Sequence, residues 1–249
     1  MLLQRLGYSD SVQISFVSKK TLKSHELKYS IRQAVNNHKN EQAMKLLEQF
    51  IQLADRSDHV SGQFILLYQT LLSSLSNEEK IDQLTKAVQL TCPKFDSVSI
   101  PEFLSYEEII IINNLAVCLG DDGRVDEAVR LLNALKQHHE NNMVDQEEIL
   151  RTQLLILFNL SKYLGQAQKY DECIEICDQG IRISQETRRC NNLDHFYFNK
   201  AQSLLRRNRA HDAPIAKECI RLAICTADAL GRATQKQNLI EFMHSTFGS

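Results

Sequence analysis

A two-helix interval repeated down the chain constrains the fold more than any other feature of the sequence. "Gly123-Arg-Val-Asp-Glu-Ala128", "Gln168-Lys-Tyr-Asp-Glu-Cys173" and "Arg209-Ala-His-Asp-Ala213" each read as a turn followed by the start of a second helix. Taking Ala43, Lys80, Ala128, Cys173 and Ala213 as equivalent gives steps of 37, 48, 45 and 40 residues. Helix pairs at such an interval bury their apolar faces only against neighbouring pairs and build a solenoid. Fourteen places before Ala128, Cys173 and Ala213 stand Asn114, Asn159 and Asn199, each on the first helix of its pair. A carboxamide recurring on one face of stacked helices suits a device that holds something extended, and not a catalyst.

The composition supports helix throughout: 43% hydrophobic and 24% charged residues, with only 8 Gly and 3 Pro in 249 residues. A chain of this length can bury a sizeable core. The formal net charge of −2 removes any global electrostatic reason to bind nucleic acid. Local basic clusters at Arg188–Arg189 and at Arg206, Arg207 and Arg209 are expected on solvated surface. Seven scattered cysteines, with no signal peptide at the start of the sequence, point to reduced thiols and a cytoplasmic setting. Cys173 and Cys177 share a helical face, where core packing outweighs metal binding because no second Cys/His pair has suitable spacing. The apolar run from Ile109 to Leu119 is too short to span a bilayer.

Apolar spacing and turn signals predict the first pair of helices over Leu22–Asn37 and Glu41–Ala54, with Asn40 as cap, and the second over Val60–Leu75 and Asn77–Leu90. "Ser76-Asn-Glu-Glu79" has capping-box form. Pro93 and Pro101 make residues 91–101 a loop and a candidate subdivision. The third pair is expected over Glu102–Leu119 and Val125–His139, with Gly120 and Gly123 ending the first helix. The fourth is expected over Asp145–Leu164 and Asp171–Glu186, opened by an Asp145/Glu148 cap and carrying Glu147/Arg151 pairing. The fifth covers Leu193–Arg207 and Ala213–Leu230, with Pro214 in the first turn and Gly231 as the stop, and a last helix over Ala233–Phe247 closes the stack.

These units resemble tetratricopeptide repeats. Leu27, Ile31, Ala34, Ala43, Leu47 and Phe50 stand where that motif places its packing residues. Leu115, Ala116, Leu119, Ala128, Leu132 and Leu135 do so in the third unit, and Leu160, Ser161, Leu164, Cys173, Cys177 and Gly180 in the fourth. The match weakens where Lys80 and Lys200 replace packing residues, and "Ala213-Pro-Ile-Ala216" leaves room for an extra turn. The resemblance implies an all-α, right-handed superhelical solenoid of about five antiparallel helix pairs with a C-terminal capping helix. More narrowly, the chain resembles the repeat domain of peptide-pheromone-sensing regulators of Gram-positive bacteria, the Rgg/PlcR/Rap-like group. The segments carrying this are "Leu2-Leu-Gln-Arg-Leu-Gly-Tyr8", "Leu27-Lys-Tyr-Ser-Ile-Arg32" with "Asn40-Glu-Gln-Ala-Met-Lys-Leu-Leu47", and "Tyr197-Phe-Asn-Lys-Ala201" with "Leu239-Ile-Glu-Phe-Met-His-Ser-Thr-Phe-Gly248". It implies that residues 1–19 are a linker or remnant joining the repeats of 20–249 to an N-terminal helix-turn-helix domain absent from this sequence, the alternative being a stand-alone sensor.

The same resemblance implies that Asn114, Asn159 and Asn199 hold the backbone of a short extended peptide on the concave face. A carboxamide can meet a peptide N–H and C=O together, and three such contacts are worth about 3 kcal/mol, roughly a hundredfold in affinity. Neighbouring Asn113, Phe158, Phe198, Lys162 and Gln202 would read side chains, and Arg32 and Lys162 could meet a peptide carboxylate. Lys28, Tyr29, Ile65, Leu66 and Gln69 share that face in the first two units. The competing reading has the asparagines tie adjacent helices together. His138–His139 at a helix end and the adjacent Asp194–His195 form no catalytic constellation, and no phosphate loop, nucleophile elbow or metal signature occurs. The expected function is therefore a non-enzymatic peptide sensor of a transcriptional regulator. It needs no cofactor, pairs as a homodimer, touches DNA only through the missing domain and does not enter membranes. A repeat scaffold docking a protein partner, including inhibition of a response regulator, is the alternative.

Overall fold

The computed structural model describes residues 19–55, 57–96, 100–101, 103–141 and 147–248. Among them are eleven helices and no strand: α1 Lys19–Asn36, α2 Asn40–Leu53, α3 His59–Leu72, α4 Asn77–Gln89, α5 Tyr106–Asp121, α6 Val125–Asn141, α7 Glu147–Gln166, α8 Tyr170–Thr187, α9 Leu193–Arg207, α10 Asp212–Ala229 and α11 Ala233–Phe247. Five consecutive pairs and a final helix follow the expected order. The opening segment 1–18 and the Asp145 cap lie outside the described residues, as do the side chains of Glu147, Glu148 and His139.

The chain divides into two compact units, the first reaching to Ser76 and including Lys86–Pro93, the second holding Asn77–Thr85 and everything from Lys94. In the first unit Leu27, Ile31 and Ala34 of α1 are buried with Ala43, Leu47 and Phe50 of α2, as the repeat pattern requires. Phe64 of α3 packs 5.1 Å from the Phe50 ring, and buried Gln63 donates to the Ala87 carbonyl of α4 at 3.0 Å. Asp58 caps α3 by accepting from the Val60 and Ser61 amides. Asn40 is not a cap: it is the first helical residue, and Lys39 stands before it without a side-chain bond.

In the second unit each helix from α6 to α11 packs on the one before it, and the first helices α5, α7 and α9 also lie side by side. The packing residues named from the third and fourth units are all buried. Helix α5 starts later than Glu102, because Ser105 and Glu108 form a reciprocal capping box. Gly120 does not end that helix. It lies within it, where a Cβ would come 2.2 Å from the Tyr163 ring, so only glycine lets α5 and α7 approach. Gly180 plays the same part for α8 and α9, where an added Cβ would lie 2.4 Å from Phe196.

Left-handed turn residues join the two helices within four of the pairs. His38, Gly123, Gln168 and Asn208, with φ of 57°, 87°, 60° and 56°, each follow the first helix of a pair. Asn114, Asn159 and Asn199 each precede one of them by nine residues, so the asparagines are equivalent along their helices. Ala213 is not equivalent to Ala128 and Cys173: it is exposed, and Ala216, three residues on, takes the small buried position. The extra turn between α9 and α10 causes the slip.

Candidate functional site

The site is built on α5, α7 and α9, each amphipathic with one face against its partner helix and another against the next repeat. Equal distances along these helices generate three rows: Asn114, Asn159 and Asn199; then Val117, Lys162 and Gln202 three residues on; then Asp121, Gln166 and Arg206 seven on. Residues three, four and seven apart share a helical face, so the rows run across the repeats.

Within the first row the carboxamides are already engaged. Buried Asn159 donates through Nδ2 to the Oδ1 of buried Asn113 at 3.0 Å, tying α7 to α5. Asn114 instead donates to the Ile110 carbonyl of its own helix at 2.8 Å. Asn199 donates to Ser161 Oγ at 2.9 Å, tying α9 to α7, and Ser161 donates to the Phe158 carbonyl at 2.8 Å. The polar seam thus runs Asn113–Asn159 and Ser161–Asn199, with Asn113 rather than Asn114 opposite Asn159. These bonds perform the helix-tying role that the sequence left open beside peptide contact. The outer edges of Asn114 and Asn199, both half-buried, retain unused lone pairs and donors.

The second and third rows surround a pocket between α7 and α9. Lys162, Gln166, Asn199, Gln202 and Arg206 line it with Ser161, Gly165 and Ser203, together with Cys173 of α8. Of the expected site residues, Lys162, Asn199 and Gln202 come together here. The Lys162 ammonium donates to Asp121 Oδ1 at 2.8 Å and to the Tyr163 hydroxyl at 3.1 Å. The Tyr163 hydroxyl is itself 2.9 Å from both the Val117 carbonyl and Asp121 Oδ1. Burial first, then the Asp121 hydrogen bond, raises the Tyr163 pKa, so the phenol stays protonated. Cys173 donates to the Ser161 carbonyl at 3.1 Å, and burial pushes the Cys177 thiol up. Core packing accounts for both thiols.

Phe158 and Phe198 repeat a different contact. Phe158 packs 4.9 Å from the His195 ring of α9, and Phe198 meets Phe242 of α11 edge-on at 5.2 Å. Arg32 belongs to the first unit, where its guanidinium lies 5.8 Å from the Phe64 ring centre beside Lys28 at 5.0 Å. His138 at the end of α6 accepts from the Leu104 amide through Nε2 at 3.2 Å. Arg207, expected on solvated surface, is 19% exposed and pairs with Asp212 and Asp171, and Arg209 joins Asp171 at 2.7 Å. Sequence reasoning missed Arg206, Gln166 and Asp121. Carrying the asparagine offset from three residues to seven finds all three.

His195 has a consequence for stability. Desolvation lowers its pKa from 6.5, opposed by the charge of Asp194 and aided by that of Arg232. The buried Asp194 carboxylate spends Oδ1 on Arg232 at 2.6 Å, while Oδ2 stays 4.0 Å from His195 Nε2. Because the folded chain binds this proton more weakly than the unfolded one, the stability contribution is full above pH 6.5 and is lost as pH falls below it. Urea unfolding at about pH 7.5 and 5.5 should show a smaller acid-induced loss in His195→Leu than in the parent chain. An identical loss in both would remove His195 from the account.

Residues 26–229 match the RNPP family C-terminal domain. No curated protein matches the sequence. Among solved structures, PlcR of Bacillus thuringiensis in complex with the peptide PapR7 and DNA superposes with a TM-score of 0.71 at 15% identity, covering 90% of this chain and 76% of that one. ComR of Streptococcus vestibularis, with its cognate signalling peptide XIP, gives 0.60 at 14% identity over 89% and 96%. Aspartyl phosphate phosphatase F of Bacillus subtilis gives 0.63 at 12% identity over 92% and 57%. At these identities the likeness is one of fold. No helix among the described residues is long and apolar enough to cross a membrane.

Proposed function

Because this chain belongs to the RNPP family through its C-terminal domain, we propose that it binds a short extended peptide across α5, α7 and α9 and passes that occupancy to a DNA-binding partner domain. The observation that carries this reading is the convergence of Lys162, Asn199 and Gln202 on one open pocket. Family membership supplies the peptide class, and the peptide complexes of PlcR and ComR support it by likeness of fold. The polar rows suit a chain with alternating donors and acceptors, while Val117 and the Phe158 and Phe198 rings add apolar surface for its side chains.

Asn114 and Asn199 contact the peptide backbone with their remaining groups, whereas Asn113 and Asn159 hold the helices that present them. The chain works as a homodimer in the cytoplasm, binding and not catalysing. Residues 1–19 link the repeats to the effector, and occupancy acts by favouring one arrangement of the repeats over another. Docking of a protein partner is the second reading, and its support is the fold shared with aspartyl phosphate phosphatase F.

A thermal-shift screen of synthetic heptapeptides tests the proposal. A hit should bind about tenfold more weakly to Lys162→Ala and to Gln202→Ala, the loss of one charge-assisted or well-placed hydrogen bond each. Hits whose affinity is the same in both variants would place the ligand elsewhere, and a screen with none would favour the docking reading.

A further inference from the structure

We propose that the pocket between α7 and α9 is a carboxylate subsite, in which Arg206 offers an uncommitted charge and Asp121 competes with the bound carboxylate for Lys162. This rests on the peptide reading and specifies which chemical group of the peptide enters the pocket.

The lining carries two cations and no acidic residue. Its remaining polar groups are carboxamides and hydroxyls, which donate to an anion without opposing its charge. The two cations are in different states. Arg207 and Arg209 are both paired with aspartates, but the exposed Arg206 of the lining has no hydrogen bond or ion pair among the described residues. A free guanidinium presents a planar fork that matches both oxygens of a carboxylate. Lys162 is engaged with Asp121, but the pair is 36% and 43% exposed, and ion pairs so open to water are weak. An incoming carboxylate held by Arg206 can therefore take a share of the ammonium.

The row arrangement explains why the subsite lies at this junction. Between α5 and α7 the row residues facing each other are Asp121 and Lys162, which close on one another. Between α7 and α9 the corresponding residues are Gln166 and Gln202, both neutral, and the pocket stays open. Drawing Lys162 away from Asp121 removes a tie between α5 and α7, so occupancy of one junction loosens the next. The carboxylate comes from the peptide, at its C-terminus or on an Asp or Glu side chain.

The test titrates the isotope-labelled full chain with N-acetyl-leucine and separately with N-acetyl-leucine amide, following the side-chain amide signals of Asn199 and Gln202. The acid should shift both signals saturably and the amide should not. Arg206→Gln should weaken acid binding about tenfold, and Asp121→Asn should strengthen it, by up to about fivefold. An equal response to acid and amide, or Arg206→Gln without effect, overturns the subsite. Unchanged or weaker binding in Asp121→Asn overturns the competition. Inorganic phosphate displacing the acid at equal concentration would mean a general anion site and also overturns it. Heptapeptide hits whose affinity survives both C-terminal amidation and replacement of every Asp and Glu by its amide sink this inference while sparing the peptide reading. The converse, acid selectivity with no heptapeptide hit, sinks the peptide reading alone. A synthetic hit amidated at its terminus, compared with one carrying Asp→Asn or Glu→Gln, separates the two sources of the carboxylate.

Discussion

Phe64→Ala is expected to lower the unfolding free energy by about 3–5 kcal/mol, the range for removing a fully buried phenylalanine. The ring has no exposed surface and packs against Phe50 at 5.1 Å and Tyr68 at 4.5 Å. Its face also takes Lys28 at 5.0 Å and Arg32 at 5.8 Å, each such contact worth about 0.5–1 kcal/mol at partly exposed sites. Truncation therefore opens a cavity and takes one ring contact from each cation, Lys28 keeping the Phe50 ring at 5.4 Å. Phe64→Leu should cost far less, because most of the volume stays. Denaturant unfolding with hydrogen exchange on α1 to α3 is the measurement. A loss below about 1 kcal/mol for Phe64→Ala would mean that the first unit does not depend on this ring. The same experiment bears on Arg32, whose position as a candidate ligand contact is set by the ring beneath it.

Gly180→Ala is expected to destabilise, although alanine is the better helix former by about 1 kcal/mol. The added Cβ would meet three carbons of the Phe196 ring at 2.4, 2.5 and 2.7 Å. Phe196 is fully buried and has nowhere to move, so α8 and α9 must separate. Overpacking of this kind costs about 3 kcal/mol at the upper end of its usual range, leaving a net loss of about 2 kcal/mol. The double variant Gly180→Ala, Phe196→Leu should recover most of it. Thermal unfolding of the single and double variants decides: a stabilised Gly180→Ala would show that propensity outweighs contact here. Because α9 carries Asn199, Gln202 and Arg206, the single variant should also weaken any ligand of the pocket.

The helix pairs and their packing stripes were legible because both rest on local periodicity. Leu115, Ala116, Leu119, Ala128, Leu132 and Leu135 recur at helical spacing, and burial followed that spacing. Where a boundary turned on one side-chain bond, local reading failed. Ser105 and not Glu102 opens α5, and Lys39 without a bond precedes Asn40. The asparagine register also held, since it counts along a single helix, while the Ala213 position slipped at a turn of different length.

Sequence by itself determined that this chain is a stack of helix pairs and that one face of three helices carries polar residues at matched positions. Apolar spacing and turn chemistry are local, and each unit expresses them without reference to the rest. Only the tertiary structure decided the partners: that Asn159 meets Asn113 and not Asn114, that Asp121 holds Lys162, and that Arg206 is left over. A one-residue offset across a helix interface is invisible along the chain, because it is set by how two helices nest around Gly120 and Tyr163.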